Sequence, residues 1–293
     1  MSSISGLCGL SPTLDMIKFT KEIAIANKES IVCGWNLLNK ELKKNKTLFI
    51  PVDSEHFSIW YALKNNFNIK KIEKLYLTAS GGPFLNTSLK NIRNVTIQDA
   101  LNHPNWIMGE KISVDSATLM NKIFEIIEAK KIFNISYHKL KILIHPKSYA
   151  HAIIKFNDGM SKIIIHDTNM EIPIFNSIFN KESKMLKTSK INLEQLNNLN
   201  FSFVDKKKFP LIKILNLLDN NDSLFETALI AANDELVGNF LKQKINFNDI
   251  QSLLLKVVRS KFFTKLKSKK VRNIEEIYRL SEHVRLKIRS LCV

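Results

Sequence analysis

No run of about 18 consecutive apolar residues occurs in the 293 residues, which excludes a membrane-spanning helix. Cysteine is scarce. Cys8, Cys33 and Cys292 are an odd number, far apart and without a CxxC pair. Neither a disulfide framework nor a structural zinc site fits, and a reducing cytoplasm is the natural compartment. The first twenty residues lack a basic start followed by an apolar core, so no signal peptide reads there. Glycine numbers only eight, and none forms GxGxxG; Gly6-Leu-Cys-Gly9 does not qualify. Arginine, the better bidentate reader of phosphates and guanines, is scarce as well, with six residues against 38 lysines. The net charge of +17 therefore does not argue for nucleic acid. Lysines share solvated stretches such as 40–46 and 206–208 with an excess of asparagine, 30 in all. A positive field of this kind also draws in anionic metabolites.

The chain is long enough for two domains. With 45% hydrophobic and 24% charged residues, it has the composition of a folded globular protein. A helical stretch opens at Pro12, EIAIA (22–26) and TLFIPVD (47–53) read as buried strands, and helices are expected over 30–45 and 55–64. KIEKLYLTA (71–79) reads as a third strand, and this alternation predicts one parallel α/β sheet. Ligands bind such sheets at the carboxyl ends of the strands. Further on, 116–133 reads as one long helix. KLKILI (139–144), AHAIIKF (150–156) and SKIIIHD (161–167) read as strands, with a hairpin turn at Asn157-Asp158-Gly159. Residues 181–208 read as a polar linker, and the pattern from Phe209 onward is helical only.

Asp53 and Glu55 flank Ser54 just past a strand end. Carboxylates this close repel unless a cation or a shared proton relieves them, and magnesium or manganese is the usual relief. An ordinary acidic helix start has the same residues. Asn121 and Lys122 stand four and three residues before Glu125, so one helix face presents an amide, a cation and a carboxylate. A surface salt bridge has that spacing too. Ser116 reads as the N-cap of this helix, a position that favours phosphate. In SGGPF (80–84), Gly81 and Gly82 let backbone approach a ligand and Ser80 offers a hydroxyl. HPNWIMG (103–109) suits a glycine-hinged lid bearing Trp106 and Met108. Cys33, His145 and His166 lie in apolar runs and read as structural.

The ordered set IANKES (25–30), PVDSEH (51–56), ASGGPF (79–84), HPNW (103–106), ISVDSAT (112–118), MNK-x-x-E (120–125) and IHPKSYAH (144–151) resembles the 1-deoxy-D-xylulose 5-phosphate reductoisomerase family. The resemblance runs from about Ser5 to the C-terminus. It implies NADPH- and metal-dependent rearrangement and reduction of that phosphosugar to 2-C-methyl-D-erythritol 4-phosphate in non-mevalonate isoprenoid synthesis. The cation would be Mg²⁺ or Mn²⁺, with Co²⁺ a third choice. Carried over residue by residue, it implies Asp53, Glu55 and Glu125 as metal ligands. Lys28, Ser54, Glu55, Ser80, His103, Ser116, Asn121, Lys122 and Glu125 would hold substrate, with the phosphate at Ser80, Ser116, Asn121 and Lys122. Lys28, Asp53, Glu55, His103 and Glu125 form the catalytic set. Asn27, Glu29 and Gly109 would touch NADPH.

The fold expected from this resemblance is α/β: a partial Rossmann-like parallel sheet, a central α/β catalytic domain and a C-terminal helical domain. The expected bounds are 1–45 for a remnant of the NADPH-binding domain and 46–180 for the catalytic and metal-binding domain, with a lid loop at 102–110. The linker would be 181–208 and the helical domain 209–293. The expected partners are the phosphosugar and a second copy in a homodimer, with no nucleic acid and no membrane. Two departures stand out. The glycine-rich cofactor turn that family members carry ahead of the present Met1 is missing, which leaves open an inactive remnant or half of a split enzyme acting as a protein-binding subunit. Ile123 stands where the family motif MNKG has glycine.

Overall fold

The computed structural model describes residues 1–64, 68–182 and 184–292. Ser183 of the expected linker and Val293 of the expected helical domain lie outside the described residues. Helix α1 (Leu10–Ile17) is followed by β1 (Glu22–Ile25), α2 (Lys28–Asn45), β2 (Leu48–Pro51) and α3 (Ser54–Leu63). β1 and β2 pair in parallel, with Ile25 opposite Pro51. Asn27 starts α2 from an extended conformation, and its side-chain oxygen accepts from the Ser30 amide at 2.6 Å, the N-cap geometry that satisfies an otherwise orphaned donor. Asn192 and Asn273 cap two later helices in the same way, so part of the asparagine excess has a structural use.

The third expected strand does not join this pair. β3 (Ile72–Ala79) sits at the centre of a separate five-stranded sheet, which corrects the expectation of one parallel sheet. After β3 come α4 (Ile97–Leu101), α5 (Glu110–Ala117), α6 (Met120–Phe133), β4 (Leu140–Ile144), β5 (Ala150–Phe156), β6 (Ser161–Ile165), α7 (Glu171–Ile178), α8 (Leu193–Asn197) and β7 (Ser202–Phe203). The strand order is β6-β5-β3-β4-β7. β3 pairs in parallel with β4 and antiparallel with β5. Hairpin partners β5 and β6 turn through Gly159 at φ +88°. A mixed sheet of this kind is invisible to strand spacing, because pairing partners are chosen by tertiary packing. The expected linker contains α8 and the edge strand β7, which pairs with β4.

The expected long helix over 116–133 is two helices. α5 ends at Ala117, Leu119 takes a left-handed φ of +60°, and α6 begins at Met120. Ser116 therefore sits in the last turn of α5 and is no N-cap, so it offers no helix start to a phosphate. α6 is buried almost all round, Ile123 and Phe124 included. Such a helix belongs to a core.

From Pro210 onward the described chain is helical: a 3-10 segment (Pro210–Leu217), then α9 (Leu224–Leu241), α10 (Phe247–Val258), α11 (Lys261–Leu266) and α12 (Ile274–Arg289). Arg259 and Ser260 separate α10 from α11, with Ser260 as the N-cap of α11. These helices share one continuous apolar core with α2, α6 and the larger sheet. α9 is also tied to α5 by the Asn233 amide donating to Asp115 at 2.7 Å. Among the described residues no helix is long and apolar enough to cross a membrane.

Candidate active site

Parallel pairing of β1 and β2 delivers the turns after them to the same edge. Lys28 opens α2 and Asp53 precedes α3, so their side chains meet, with Lys28 Nζ donating to Asp53 Oδ2 at 2.9 Å. α6 lies across this edge and adds Asn121, Lys122 and Glu125. Lys28 Nζ also donates to Asn121 Oδ1 at 2.7 Å, and Asn121 Nδ2 to Glu125 Oε1 at 2.5 Å. Lys122 Nζ donates to Glu55 Oε1 at 2.5 Å and to Glu125 Oε2. The Ser54 hydroxyl donates to Glu55 Oε2 at 2.5 Å. The amide–cation–carboxylate face is thus real, and it is buried: Lys122 is 4% exposed and Glu125 1%.

Carboxylate oxygens of Asp53, Glu55 and Glu125 lie within 4.8 Å of one another. Buried charges persist only when paired or when they coordinate metal. Burial and then neighbouring Glu55 push Glu125 up to about 8, against the pull of Lys122 and Lys28. Burial acts in the same direction on Asp53, yet the adjacent Lys28 ammonium holds that carboxyl well below the usual carboxylate range. Burial disfavours the Lys28 ammonium, but Asp53, Glu125 and Glu128 outweigh it and its pKa stands above normal. Three convergent oxygen donors of this type suit a hard divalent cation.

A second group meets at the end of β3. His103 Nδ1 accepts from the backbone amides of Asn105 (3.2 Å) and Trp106 (3.0 Å). The proton therefore resides on Nε2, which donates to Ser80 Oγ at 3.0 Å. Burial lowers the His103 pKa to about 4. Ser80 Oγ in turn accepts from the Gly82 amide at 3.0 Å. Gly82 has φ +65°, and a Cβ there would stand 2.8 Å from the Ser116 carbonyl. The close approach this glycine permits is to the end of α5, whose Ser116 lines the same cavity as Ser80.

The loop carrying Trp106 lines the cavity with Trp106, Ile107 and Met108. The Trp106 ring packs edge-on against His151 at 6.2 Å, while Ile107 is fully exposed. Asn105 ties the loop base to Ser148 Oγ at 2.9 Å and to the Pro146 carbonyl at 2.6 Å. All ten residues expected to bind metal or substrate border one cavity of about 250 Å³, together with Trp106 and Met108. Asn27, Glu29 and Gly109 do not border it. The Asn27 carboxamide is used on the Ile4 and Gly6 carbonyls and the Ser30 amide, and Glu29 accepts from Lys111 at 3.1 Å.

Four contributors had no sequence signal of their own. His151 lines the cavity and stacks on His166 at 3.6 Å, so His166 supports the site from behind. Beneath the carboxylates, His56 Nε2 donates to the Glu125 carbonyl at 2.9 Å, and Glu128 Oε2 stands 3.9 Å from both Lys28 Nζ and His56 Nδ1. Glu128 sits three residues after Glu125 on α6. Cys33 and His145 are buried, as expected of structural residues.

Three family profiles match the chain. Residues 49–133 match the 1-deoxy-D-xylulose 5-phosphate reductoisomerase C-terminal domain, 166–287 the DXP reductoisomerase C-terminal domain, and 1–34 a further segment of 1-deoxy-D-xylulose 5-phosphate reductoisomerase. The reductoisomerase of Pelagibacter ubique is 62% identical over all 293 residues, which span 75% of that relative. That of Wolbachia pipientis wMel is 43% identical over 88% of this chain and 67% of its own length. Among solved structures, a reductoisomerase in complex with NADPH, fosmidomycin and magnesium superposes with a TM-score of 0.90 at 33% identity, over 99% of this chain and 74% of that one. The Zymomonas mobilis enzyme in complex with NADPH gives 0.86 at 30% identity, over 100% and 74%. The chain belongs to the 1-deoxy-D-xylulose 5-phosphate reductoisomerase family.

Proposed function

We propose that this chain binds 1-deoxy-D-xylulose 5-phosphate at the cavity between α6 and the ends of β1, β2 and β3, and serves its metal- and NADPH-dependent conversion to 2-C-methyl-D-erythritol 4-phosphate. The observation that carries the reading is the convergence of Asp53, Glu55 and Glu125 beside two buried lysines. Asp53, Glu55 and Glu125 would hold the divalent cation, whose chemistry is Lewis-acid polarisation of the ketone and its neighbouring hydroxyl. NADPH supplies the hydride. Lys28 would place its ammonium, and Ser54 its hydroxyl, against the substrate oxygens. Ser80, Ser116, Asn121 and Lys122 would face the phosphate, with the neutral His103 donating from Nε2. Trp106 and Met108 would exclude water when the loop closes. Asn27 and Glu29 already use their side chains within the chain, so contact with NADPH would fall to their backbone and to Gly109.

An intact carboxylate set favours this reading over an inactive remnant, since nothing in a binding role calls for three clustered carboxylates. We include a homodimer, in keeping with the exposed apolar residues Met160 and Ile163 beside and on edge strand β6, and a cytoplasmic location, in keeping with three free cysteines. The test is thermal unfolding with and without Mn²⁺, because a ligand that binds only the folded state raises the melting temperature. Glu125→Gln should remove most of the rise. A folded protein indifferent to Mn²⁺ would overturn the metal assignment.

A further inference from the structure

The lysine nearest the carboxylates has two incompatible claims on it. Lys122 Nζ bonds both Glu55 Oε1 and Glu125 Oε2, two of the three carboxylates that converge. A divalent cation drawn to those carboxylates would repel the ammonium at contact distance, so its entry weakens their hold on Lys122. Lys28 hydrogen-bonds only one of the three, Asp53 Oδ2, stands 3.8 Å from Glu125 Oε1, and has the neutral Asn121 Oδ1 as a second partner at 2.7 Å.

The rest of the cavity says where Lys122 would turn. Of the residues lining it only Lys28 and Lys122 are cationic, and Lys28 is held among Asp53, Glu125 and Glu128. The other groups facing the Ser80 end are neutral: Ser80, Ser116 and a histidine whose Nε2 proton is the donor. A phosphate dianion desolvated there needs a charge-assisted donor, and Lys122 is the one lysine available to it. With all three carboxyls ionised, as they are when a cation holds them, three carboxylates against two ammonium groups leave one negative charge in excess. A divalent cation turns that into one positive charge, which welcomes an anion.

We propose that Lys122 exchanges partners: entry of a divalent cation takes Glu55 and Glu125 from its ammonium, and the released ammonium becomes the anchor of a phosphate monoester. The inference rests on the reading of the site as metal- and phosphate-binding. It makes metal and phosphate binding mutually reinforcing through one side chain, and the coupling is reciprocal.

The probes are Mg²⁺ or Mn²⁺ and methylphosphonate, on the full chain. Methylphosphonate affinity is read by ³¹P NMR with and without Mg²⁺, and Mn²⁺ affinity by electron paramagnetic resonance. In the unmutated protein Mg²⁺ should tighten methylphosphonate binding about tenfold, within the usual range for coupled sites. In Lys122→Gln, Mn²⁺ should bind at least as tightly as before, since its competitor is gone, while the coupling falls below about threefold. Full coupling in Lys122→Gln would assign it to the field of the metal and overturn the exchange. So would a marked loss of Mn²⁺ affinity in that variant. No Mn²⁺ binding in the unmutated protein would instead remove the metal reading itself. Should Lys122→Gln fail to fold, the ¹⁵Nζ resonance of Lys122 in the unmutated protein decides. The exchange requires it to shift with Mg²⁺ and again with methylphosphonate, and an unmoved signal contradicts it.

Discussion

His103 donates from Nε2 to the Ser80 hydroxyl across 3.0 Å, and two backbone amides of its own loop lock the opposite ring nitrogen as an acceptor. This joins the loop that lines the cavity to the end of the central strand without a charge at either partner. The neutrality is enforced by burial.

The pH behaviour of this pair has a definite sign. The folded-state pKa of His103, about 4, lies below the ordinary histidine value of 6.5, so between them the unfolded chain binds more protons. Stability therefore rises with pH across that window and is lost as pH falls through it. The denaturant midpoint of His103→Gln should depend less on pH between 4 and 6.5 than that of the unmutated protein. Long-range ¹H–¹⁵N spectra should show the Nε2–H tautomer of His103 unchanged at pH 6. A His103 that titrates near 6.5 would contradict the geometry.

Gly82, in the turn after β3, and Gly109, at the end of the Trp106 loop, should respond differently. At Gly82 a Cβ meets the Ser116 carbonyl at 2.8 Å on a left-handed backbone, whereas at Gly109 nothing lies within 4 Å and φ is −64°. Gly82→Ala should cost about 1–3 kcal/mol, and Gly109→Ala should change stability by less than about 0.5 kcal/mol. Urea unfolding of the two variants side by side checks this. Equal effects would mean that Gly82 has room it does not show.

Lys111, two residues past Gly109, holds Glu29, Asp115 and Asp234 together at 3.0–3.1 Å, and Asp115 is 1% exposed. Removing the ammonium strands a buried carboxylate. Lys111→Met should cost about 3–5 kcal/mol, and Lys111→Arg much less. A neutral Lys111→Met, measured by urea unfolding, would show that the three acids find other relief.

Ile123 stands where the family motif carries glycine, and it is fully buried in the core. The side chain fills space between α6 and its neighbours rather than opening the helix to a ligand. Ile123→Ala should cost about 2–5 kcal/mol with little change in metal affinity. A loss of metal binding in a well-folded variant would mean that Ile123 shapes the site directly.

Much of this site was legible because its residues keep helical spacing or follow strand ends. Asp53-Ser54-Glu55 reads off the end of β2, and Asn121, Lys122 and Glu125 read off one face of α6. What could not be read was set by distant parts of the chain. The αL residue Leu119 breaks the expected helix in two, although leucine carries no breaker signal of its own. β3 leaves β1 and β2 because β4 and β5 pair with it, a choice made by packing between segments about 65–80 residues apart in sequence. His56 and Glu128 matter through what they support, whereas His151 reaches the cavity itself from β5. Side chains that act from below a site leave no motif beyond their burial.

The decisive measurement is calorimetric titration of 1-deoxy-D-xylulose 5-phosphate into the protein, with Mg²⁺ and again with a chelator. Saturable binding with Mg²⁺ that disappears with the chelator and in Glu125→Gln is the predicted result. Equal binding in all three conditions, or none in any, would contradict the account.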